Sequence, residues 1–344
     1  MNPARAFLLE HLDACGADAR DAALRAAALE VAGYATRTVA VATSPAGAAP
    51  AGGARPPTLG PGADGRRAML ALLEGWDPAL AIVAAAAPGG GCLARWLPRG
   101  LAARWWPSGW SDGASRGPRA PWSAAPTLPA LVGEGPVAAL DWTPIDTAAP
   151  DRARRPLWDG DYLLAPQPFG GPAGRDALEA FARLGAARCG LDLVVLGDPE
   201  PALARLARAR GVAPRVHFVG RATRGAEASW LAGASTAVLA GRGPLAGSLV
   251  LRVLAAGCPL LVGASGAAAD ALRGRLEACG AAAAVWPPGV VGLAAALERV
   301  LERGEPVRRA IARGRELAAG ADPGAIGERL RDALGGAAPR RAAA

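Results

Sequence analysis

The feature that most constrains the fold is a repeated alternation of short apolar runs and amphipathic segments in the second half of the chain. The apolar runs are rich in Val and Leu and end beside turn residues, as Leu191–Leu196 does before Gly197. Between them, segments such as 175–184 and 200–210 carry apolar residues at helical spacing. Strands that alternate with helices in this way predict a doubly wound, parallel α/β domain, which we place at residues 158–334.

The first half of the chain shows a weaker form of the same alternation. A predicted helix at 21–32 lies between predicted strands at 5–12 and 38–43, and this order of elements is one βαβ unit. We therefore predict a second Rossmann-like domain at residues 1–146. A length of 344 residues agrees with this division, because a domain typically contains about 100–200 residues.

Four segments interrupt this pattern and are poor in residues that a core could bury. Two flexible loops are predicted at about 44–65 and 107–123, where Pro, Gly and Ala accumulate. A polar, Pro-rich segment at 147–157 is predicted to be the linker between the domains. The low-complexity tail at 335–344 is predicted to be disordered.

The basic charge of the chain does not by itself indicate a nucleic-acid-binding protein. The formal net charge is +8, yet all 38 basic residues are Arg and they are scattered along the chain. Many lie among carboxylates on predicted helix faces, as in 298–303, which is typical of solvated surfaces. We therefore expect no specific nucleic-acid partner, and a few arginines are available for an anionic ligand such as a nucleotide diphosphate.

Cysteine usage and hydropathy bear on the compartment. The five cysteines are odd in number and widely spaced, which argues against a disulfide framework and against a zinc site. No charge-free apolar stretch reaches the length of about 20 residues that a membrane-spanning helix needs. We expect a reduced, cytoplasmic protein without a bound metal, and contact with a membrane surface stays open.

A glycine-rich segment offers a phosphate-binding site in the second domain. The loop Gly241–Gly247 follows the predicted strand 236–240 and opens a helix at Ser248. Backbone N–H groups and the dipole at the start of a helix attract phosphate, and glycines let it approach closely. An ordinary glycine-rich connection without a ligand is the alternative. The predicted phosphate-binding residues are Gly241, Arg242, Gly243, Gly247, Ser248, Leu249, Arg221 and Arg252.

Four segments resemble a known family at matching spacing: 191–198 (LDLVVLGD), 216–221 (VHFVGR), 237–241 (AVLAG) and 254–260 (LAAGCPL). They are similar to the nucleotide-sugar-binding half of the family-4 glycosyltransferases, which are retaining enzymes of the GT-B fold. The resemblance implies two Rossmann-like domains that face a cleft and the transfer of a sugar from a nucleotide-diphosphate donor. It implies neither a cofactor nor a bound metal.

The same resemblance assigns the acceptor to the first domain. The loop at 15–20, with Gly16 and Ala17, is similar to the family's glycine-rich acceptor-side loop. The implied acceptor is a glycan, a lipid-linked molecule or a small molecule.

The sequence departs from the family at residues that matter for donor binding. The family's two glutamates, eight positions apart, align with Pro244 and Arg252, and Arg reverses the charge beside the ribose. The family's Arg and Lys that hold the diphosphate align with Gln167 and about Pro172. Removing one such donor to the transition state costs about 3 kcal/mol, so an unrepaired site would react slowly.

Other residue types give weaker signals. His11, at the end of the first predicted strand, is a weak candidate for a general base, whereas His217 lies within a strand and is read as structural. Asp270 is read as the N-cap of a helix. The tryptophans from Trp105 to Trp122 could stack on a sugar or a base, or pack over an exposed domain edge.

Three interpretations stay open at this point. The first is an active glycosyltransferase with a rebuilt donor site, in which Arg221, Arg242 and Arg252 would converge on an open polar cleft. The second is a catalytically degenerate homologue that acts as a binding or regulatory partner. The third is another GT-B enzyme, such as a nucleotide-sugar epimerase.

Overall fold

The structure is a computed structural model that consists of two compact α/β units. The residues that it describes are 4–12, 19–42, 58–59, 63–85, 97–98, 101–107, 109–110, 141, 144–147, 158–166, 169–185, 188, 190–220, 222, 224–240, 245–263, 267–282 and 289–335.

The described elements of the first half alternate between strands and helices. They are β1 (Ala4–Leu12), α1 (Ala19–Val31), β2 (Tyr34–Ala42), β3 (Thr58–Leu59), α2 (Ala63–Trp76), β4 (Leu80–Ala85), β5 (Ala103–Pro107) and β6 (Gly109–Trp110).

The second half continues the alternation and ends in helices. Its elements are β7 (Asp161–Ala165), α3 (Gly171–Gly185), β8 (Leu191–Val195), α4 (Pro201–Ala209), β9 (Val216–Phe218), α5 (Arg224–Gly233), β10 (Thr236–Leu239), β11 (Leu245–Ala246), α6 (Gly247–Ala255), β12 (Leu260–Val262), α7 (Ala267–Ala278), α8 (Val290–Leu301), α9 (Glu305–Ala319) and α10 (Pro323–Gly335).

Each unit is built on a five-stranded parallel sheet, and the two sheets share one topology. The first has the order β3-β2-β1-β4-β5 and the second the order β12-β10-β7-β8-β9. In both, the first strand of the unit is central, the next two lie on one side and the last two on the other. This is the doubly wound order, and the predicted fold class is confirmed. The order reverses between β1 and β4 and between β7 and β10.

The second sheet is buried because helices cover both of its faces. The strands β7, β8, β10 and β12 are almost entirely buried, as continuous apolar runs in parallel sheets usually are. On α3, residues at helical spacing, such as Ala177, Phe181 and Leu184, enter a core with Leu193 and Leu297.

The first unit closes its core with the last helix of the chain. Leu8 and Ile82 pack with Ile326 and Leu330 of α10. Helix α10 lies so close to α1 that a Cβ at Gly327 would come within 2.6 Å of the Ala28 carbonyl oxygen. The first unit thus comprises residues 1–146, 244–248 and 320–344, and the second comprises residues 147–243 and 249–319. The second domain predicted from the sequence, residues 158–334, includes 244–248 and 320–334.

Both predicted flexible loops contain regular structure. Within 44–65 the structure has β3 and the start of α2, and within 107–123 it has the end of β5 and β6. Trp110 pairs with Leu245 in a short antiparallel ladder between β6 and β11. The remaining residues of these loops lie outside the described part, as do 148–157 of the predicted linker and 336–344 of the predicted tail.

Candidate functional site

The carboxyl edge of the second sheet is the site that this topology favours. Open α/β sheets bind ligands where the strand order reverses, which here lies between the carboxyl ends of β7 and β10. The chain that leaves β7 is held against the end of β10, because the Gly170 N–H donates a hydrogen bond to the Ala240 carbonyl oxygen at 2.9 Å. This bond fixes the turn that opens α3.

The turn requires glycine at its first helical residue, and two neighbouring glycines lie close to other groups. Gly171 begins α3 with a φ of +64°, a conformation that residues with side chains rarely adopt. A Cβ at Gly174 would lie 3.4 Å from the Ala240 carbonyl oxygen, and a Cβ at Gly170 would overlap the carboxylate of Glu200. The glycines at 170–174 predict a turn from the sequence, whereas the helix already starts at Gly171.

The start of α6, which follows β10 and β11 along the chain, is a second feature of interest. Gly247, Ser248 and Leu249 form its first turn and are buried, and α6 has no acidic residue there. Its amino end therefore presents backbone N–H groups without a local carboxylate to neutralise them. The other predicted phosphate-binding residues Gly241, Arg242, Gly243 and Arg221 lie outside the described residues, so their roles stay predictions.

Arg252 lies further along α6 and has a specific partner. Its Nη2 is 3.2 Å from a carboxylate oxygen of Glu227 on α5, and both side chains are mostly buried. The Nε and Nη1 atoms of Arg252 are buried and have no hydrogen-bond partner among the described residues. The sequence reading placed Arg252 among the phosphate-binding residues and missed Glu227, because nothing in the sequence connects residues 25 positions apart on two helices.

Four further predicted residues are accounted for as follows. His11 lies in β1, but its side chain is outside the described part of the structure, as are Gly16 and Ala17 entirely. Asp270 is not an N-cap, because α7 starts at Ala267 and Asp270 lies within its first turn, where it pairs with Arg273. A carboxylate in the first turn still interacts favourably with the helix dipole.

A polar and aromatic cluster lies near the amino end of the second sheet. Trp158 Nε1 donates a hydrogen bond to Asp192 at 3.0 Å, and its ring lies 4.4 Å from that of His217. His217 Nε2 is 3.5 Å from the other oxygen of Asp192. Strands β8 and β9 present Asp192 and His217 on one face of the sheet, where both contact Trp158. The cluster therefore stabilises the start of the second unit and is not part of the edge with the glycine turn.

Two buried groups behind this cluster are held in their neutral forms. Burial raises the pKa of the Tyr162 phenol above its ordinary range, and its hydroxyl donates to the Trp230 carbonyl oxygen at 2.6 Å. Burial also raises the pKa of the Cys258 thiol to about 12. Neither group can exchange a proton with a substrate near neutral pH.

Neither a metal site nor a membrane-spanning helix occurs in the part of the chain that the structure describes. No group of three or more His, Cys, Asp or Glu side chains in that part of the chain is arranged to hold a metal ion. None of the helices in the same part is both long enough and apolar enough to cross a bilayer.

Comparison with known proteins agrees with this topology. Residues 173–303 match the family model described as Glycosyl transferases group 1. No curated protein sequence matches significantly.

Solved structures match over nearly the whole chain at low identity. A putative UDP-N-acetylglucosamine 2-epimerase from Listeria monocytogenes has 14% identity, 97% coverage of both chains and a TM-score of 0.63. WaaG, a glycosyltransferase involved in lipopolysaccharide biosynthesis, has 17% identity, coverage of 95% of this chain and 98% of its own, and a TM-score of 0.55. A UDP-GlcNAc 2-epimerase from Neisseria meningitidis bound to UDP-GlcNAc has 10% identity, coverage of 96% and 99%, and a TM-score of 0.52.

At these identities the structural matches establish the fold, and the family model gives the closer likeness. The chain has the GT-B fold, and its residues 173–303 are similar to the glycosyl transferases group 1, which makes it glycosyltransferase-like.

Proposed function

We propose that this protein transfers a sugar from a nucleotide-diphosphate donor to an acceptor, and that the donor diphosphate binds at the first turn of α6. One observation carries the proposal. The buried first turn Gly247–Leu249 follows the switch-point strand β10, has no acid of its own and lies within the segment that matches glycosyl transferases group 1. A helix start of this kind binds phosphate through its backbone N–H groups.

Charged side chains would complete the donor site. Arg221 and Arg242 follow the strands β9 and β10 in sequence, and the carboxyl ends of these strands lie at one edge of the sheet. A guanidinium forms charge-assisted hydrogen bonds with phosphate oxygens. Such contacts would take the place of the family's Arg and Lys, whose aligned positions include the uncharged Pro172 in the first turn of α3.

The transferase is favoured over the other interpretations by the family match. Epimerases share the fold, but the sequence likeness of residues 173–303 is to glycosyl transferases. A retaining mechanism, like that of the family-4 enzymes, belongs to the proposal, as does a glycan, lipid-linked or small-molecule acceptor bound by the first unit. A cytoplasmic location also belongs to it, and the free thiols of Cys258 and Cys279 support a reducing compartment.

Calorimetric titration of the purified protein with UDP and with GDP tests the donor site. We expect saturable, micromolar binding of one of them. Ser248→Asp should abolish it, because a carboxylate in the first turn of α6 repels the diphosphate and occupies its N–H groups. Arg242→Ala should weaken it, whereas Arg208→Ala, at an exposed position on α4, removes the same charge and should leave it unchanged.

Product analysis then distinguishes the enzyme classes. Incubation with the matching nucleotide sugars and a panel of acceptors should move the sugar onto an acceptor and release the nucleoside diphosphate. A sugar that is isomerised while still attached to the nucleotide would identify an epimerase instead. The absence of binding to either nucleotide would overturn the donor-site assignment for both.

A further inference from the structure

Glu200 is an acidic residue whose position its own helix does not explain. It occupies the N-cap of α4, where Ser, Thr, Asp or Asn usually bonds a backbone N–H of the first turn. Glu200 makes no such bond, and Pro201 at the start of α4 has no N–H to satisfy. The side chain is therefore directed elsewhere.

The carboxylate of Glu200 reaches the glycine turn at the switch point. Its Oε2 accepts a hydrogen bond from the Gly171 N–H at 3.3 Å, where α3 begins. A Cβ at Gly170 would overlap this same oxygen, so the glycine leaves room for the carboxylate in its present position. The sequence Gly170-Gly171 and the acid at position 200 thus form one arrangement, although 29 residues separate them.

This carboxylate lies at the positive end of a helix and is partly accessible. Helix α3 has no acidic residue in its own first turn, so Glu200 supplies the anion that its positive end favours. The side chain is half-buried rather than enclosed. No partner for its Oε1 occurs among the described residues, and a carboxylate can accept about four hydrogen bonds.

Acids are scarce at this edge of the sheet. Among the described residues that directly follow the five parallel strands, the acidic ones are Asp198 and Glu200, and Asp198 is exposed. A carboxylate can only accept hydrogen bonds, and it repels phosphate. Hydroxyl groups are the part of a nucleotide sugar that it can bind.

We propose that Glu200 binds a hydroxyl group of the donor, on the transferred sugar or on the ribose, and that the Gly171 N–H fixes the carboxylate for this purpose. The inference rests on the proposed function. It names an acceptor for donor hydroxyls in a chain that has Pro244 and Arg252 at the positions of the family's glutamates.

The test compares Glu200→Gln with the wild type and with Glu298→Gln, a matched loss of one charge at an exposed position on α8. Gln keeps a carbonyl oxygen for the Gly171 N–H, and equal thermal unfolding midpoints will show that the turn is intact. The ligands are UDP, GDP, UDP-glucose, UDP-N-acetylglucosamine and GDP-mannose, titrated by calorimetry.

We expect Glu200→Gln to weaken the binding of the matching nucleotide sugar about tenfold or more, because a hydrogen bond to a charged group is lost. Weaker binding of the sugar nucleotide alone assigns the contact to the sugar, and an equal loss for the free diphosphate assigns it to the ribose. Unchanged or tighter binding of both ligands would overturn the inference and leave Glu200 as an anion for α3. A wild-type protein that binds none of the five ligands would overturn the proposed function and the inference together.

Discussion

Restoring the family's glutamate at position 252 should destabilise the second unit unless Glu227 is changed as well. Arg252 Nη2 lies 3.2 Å from Glu227, with exposed fractions of 20% and 14% for the two side chains. Arg252→Glu removes this attraction and places two carboxylates in one mostly buried space. Removing one partner of a fully buried pair costs about 3–5 kcal/mol, so partial exposure reduces the cost here to about 1–3 kcal/mol.

Repulsion between the two glutamates adds to that loss. We expect Arg252→Glu to lower the free energy of unfolding by about 2–4 kcal/mol and Arg252→Ala by about 1–3 kcal/mol. The double variant Glu227→Arg/Arg252→Glu reverses the pair and should recover at least about half of the loss. The assay is urea unfolding followed by circular dichroism. The single variants Glu227→Arg and Arg252→Glu and their double variant are measured under the same conditions, together with Arg252→Ala.

The double variant decides whether the reasoning holds. A coupling energy near zero would mean that residues 227 and 252 do not interact in solution, and the pairing argument would fail. Equal costs for Arg252→Glu and Arg252→Ala would refute the predicted repulsion. The described part of the chain offers no hydrogen-bond partner to the Nε and Nη1 atoms of Arg252. We therefore expect a smaller cost for Arg252→Ala, because that variant also removes these two buried donors.

Two further predictions concern packing and pH. Gly327→Val should destabilise the first unit by more than about 2 kcal/mol in urea unfolding, because its Cβ would lie 2.5 Å from that of Val31. As a control, Gly75→Ala lies at a helical position with open space and should be neutral or stabilising by up to about 1 kcal/mol. Burial raises the pKa of the Cys258 thiol from its ordinary value of 9.0 to about 12. The free energy of unfolding should therefore be independent of this thiol at pH values below 9.0. It should fall as the pH rises toward about 12, because the unfolded chain loses the thiol proton first. Urea unfolding at pH 8.5 and pH 10 should show a fall that Cys258→Ala reduces, and an unchanged fall in that variant would contradict the assignment.

The order of strands and helices in the second unit could be predicted because its strands are apolar throughout. The apolar run Leu191–Leu196 is observed as a strand at Leu191–Val195, since β-branched and large apolar residues fill it up to Gly197. Parallel strands that are buried on both faces leave this continuous signal in the sequence. The doubly wound fold class followed from the signal.

Helix boundaries and two whole helices could not be predicted, and small residues are the reason. Glycines at 170–174 favour a turn, yet α3 begins at Gly171, where the Glu200 carboxylate accepts a hydrogen bond from the backbone N–H. The buried positions of α9 include Ala310, Gly314 and Ala318, which give little hydrophobic periodicity. Helices that pack through small residues are therefore visible only once the neighbouring helix is known.

The candidate site shows the same limit in its charges. A motif of two glutamates eight residues apart on one helix can be read from sequence, whereas a carboxylate that reaches the edge from another segment cannot. Glu227 meets Arg252 from α5, and Glu200 meets Gly171 from the start of α4. Hydroxyl recognition requires an acceptor at the right point in space, and it does not require that acceptor to come from α6. The absence of glutamates at positions 244 and 252 therefore excludes only a donor site built from that motif. It does not exclude a donor site whose carboxylates come from other segments of the chain.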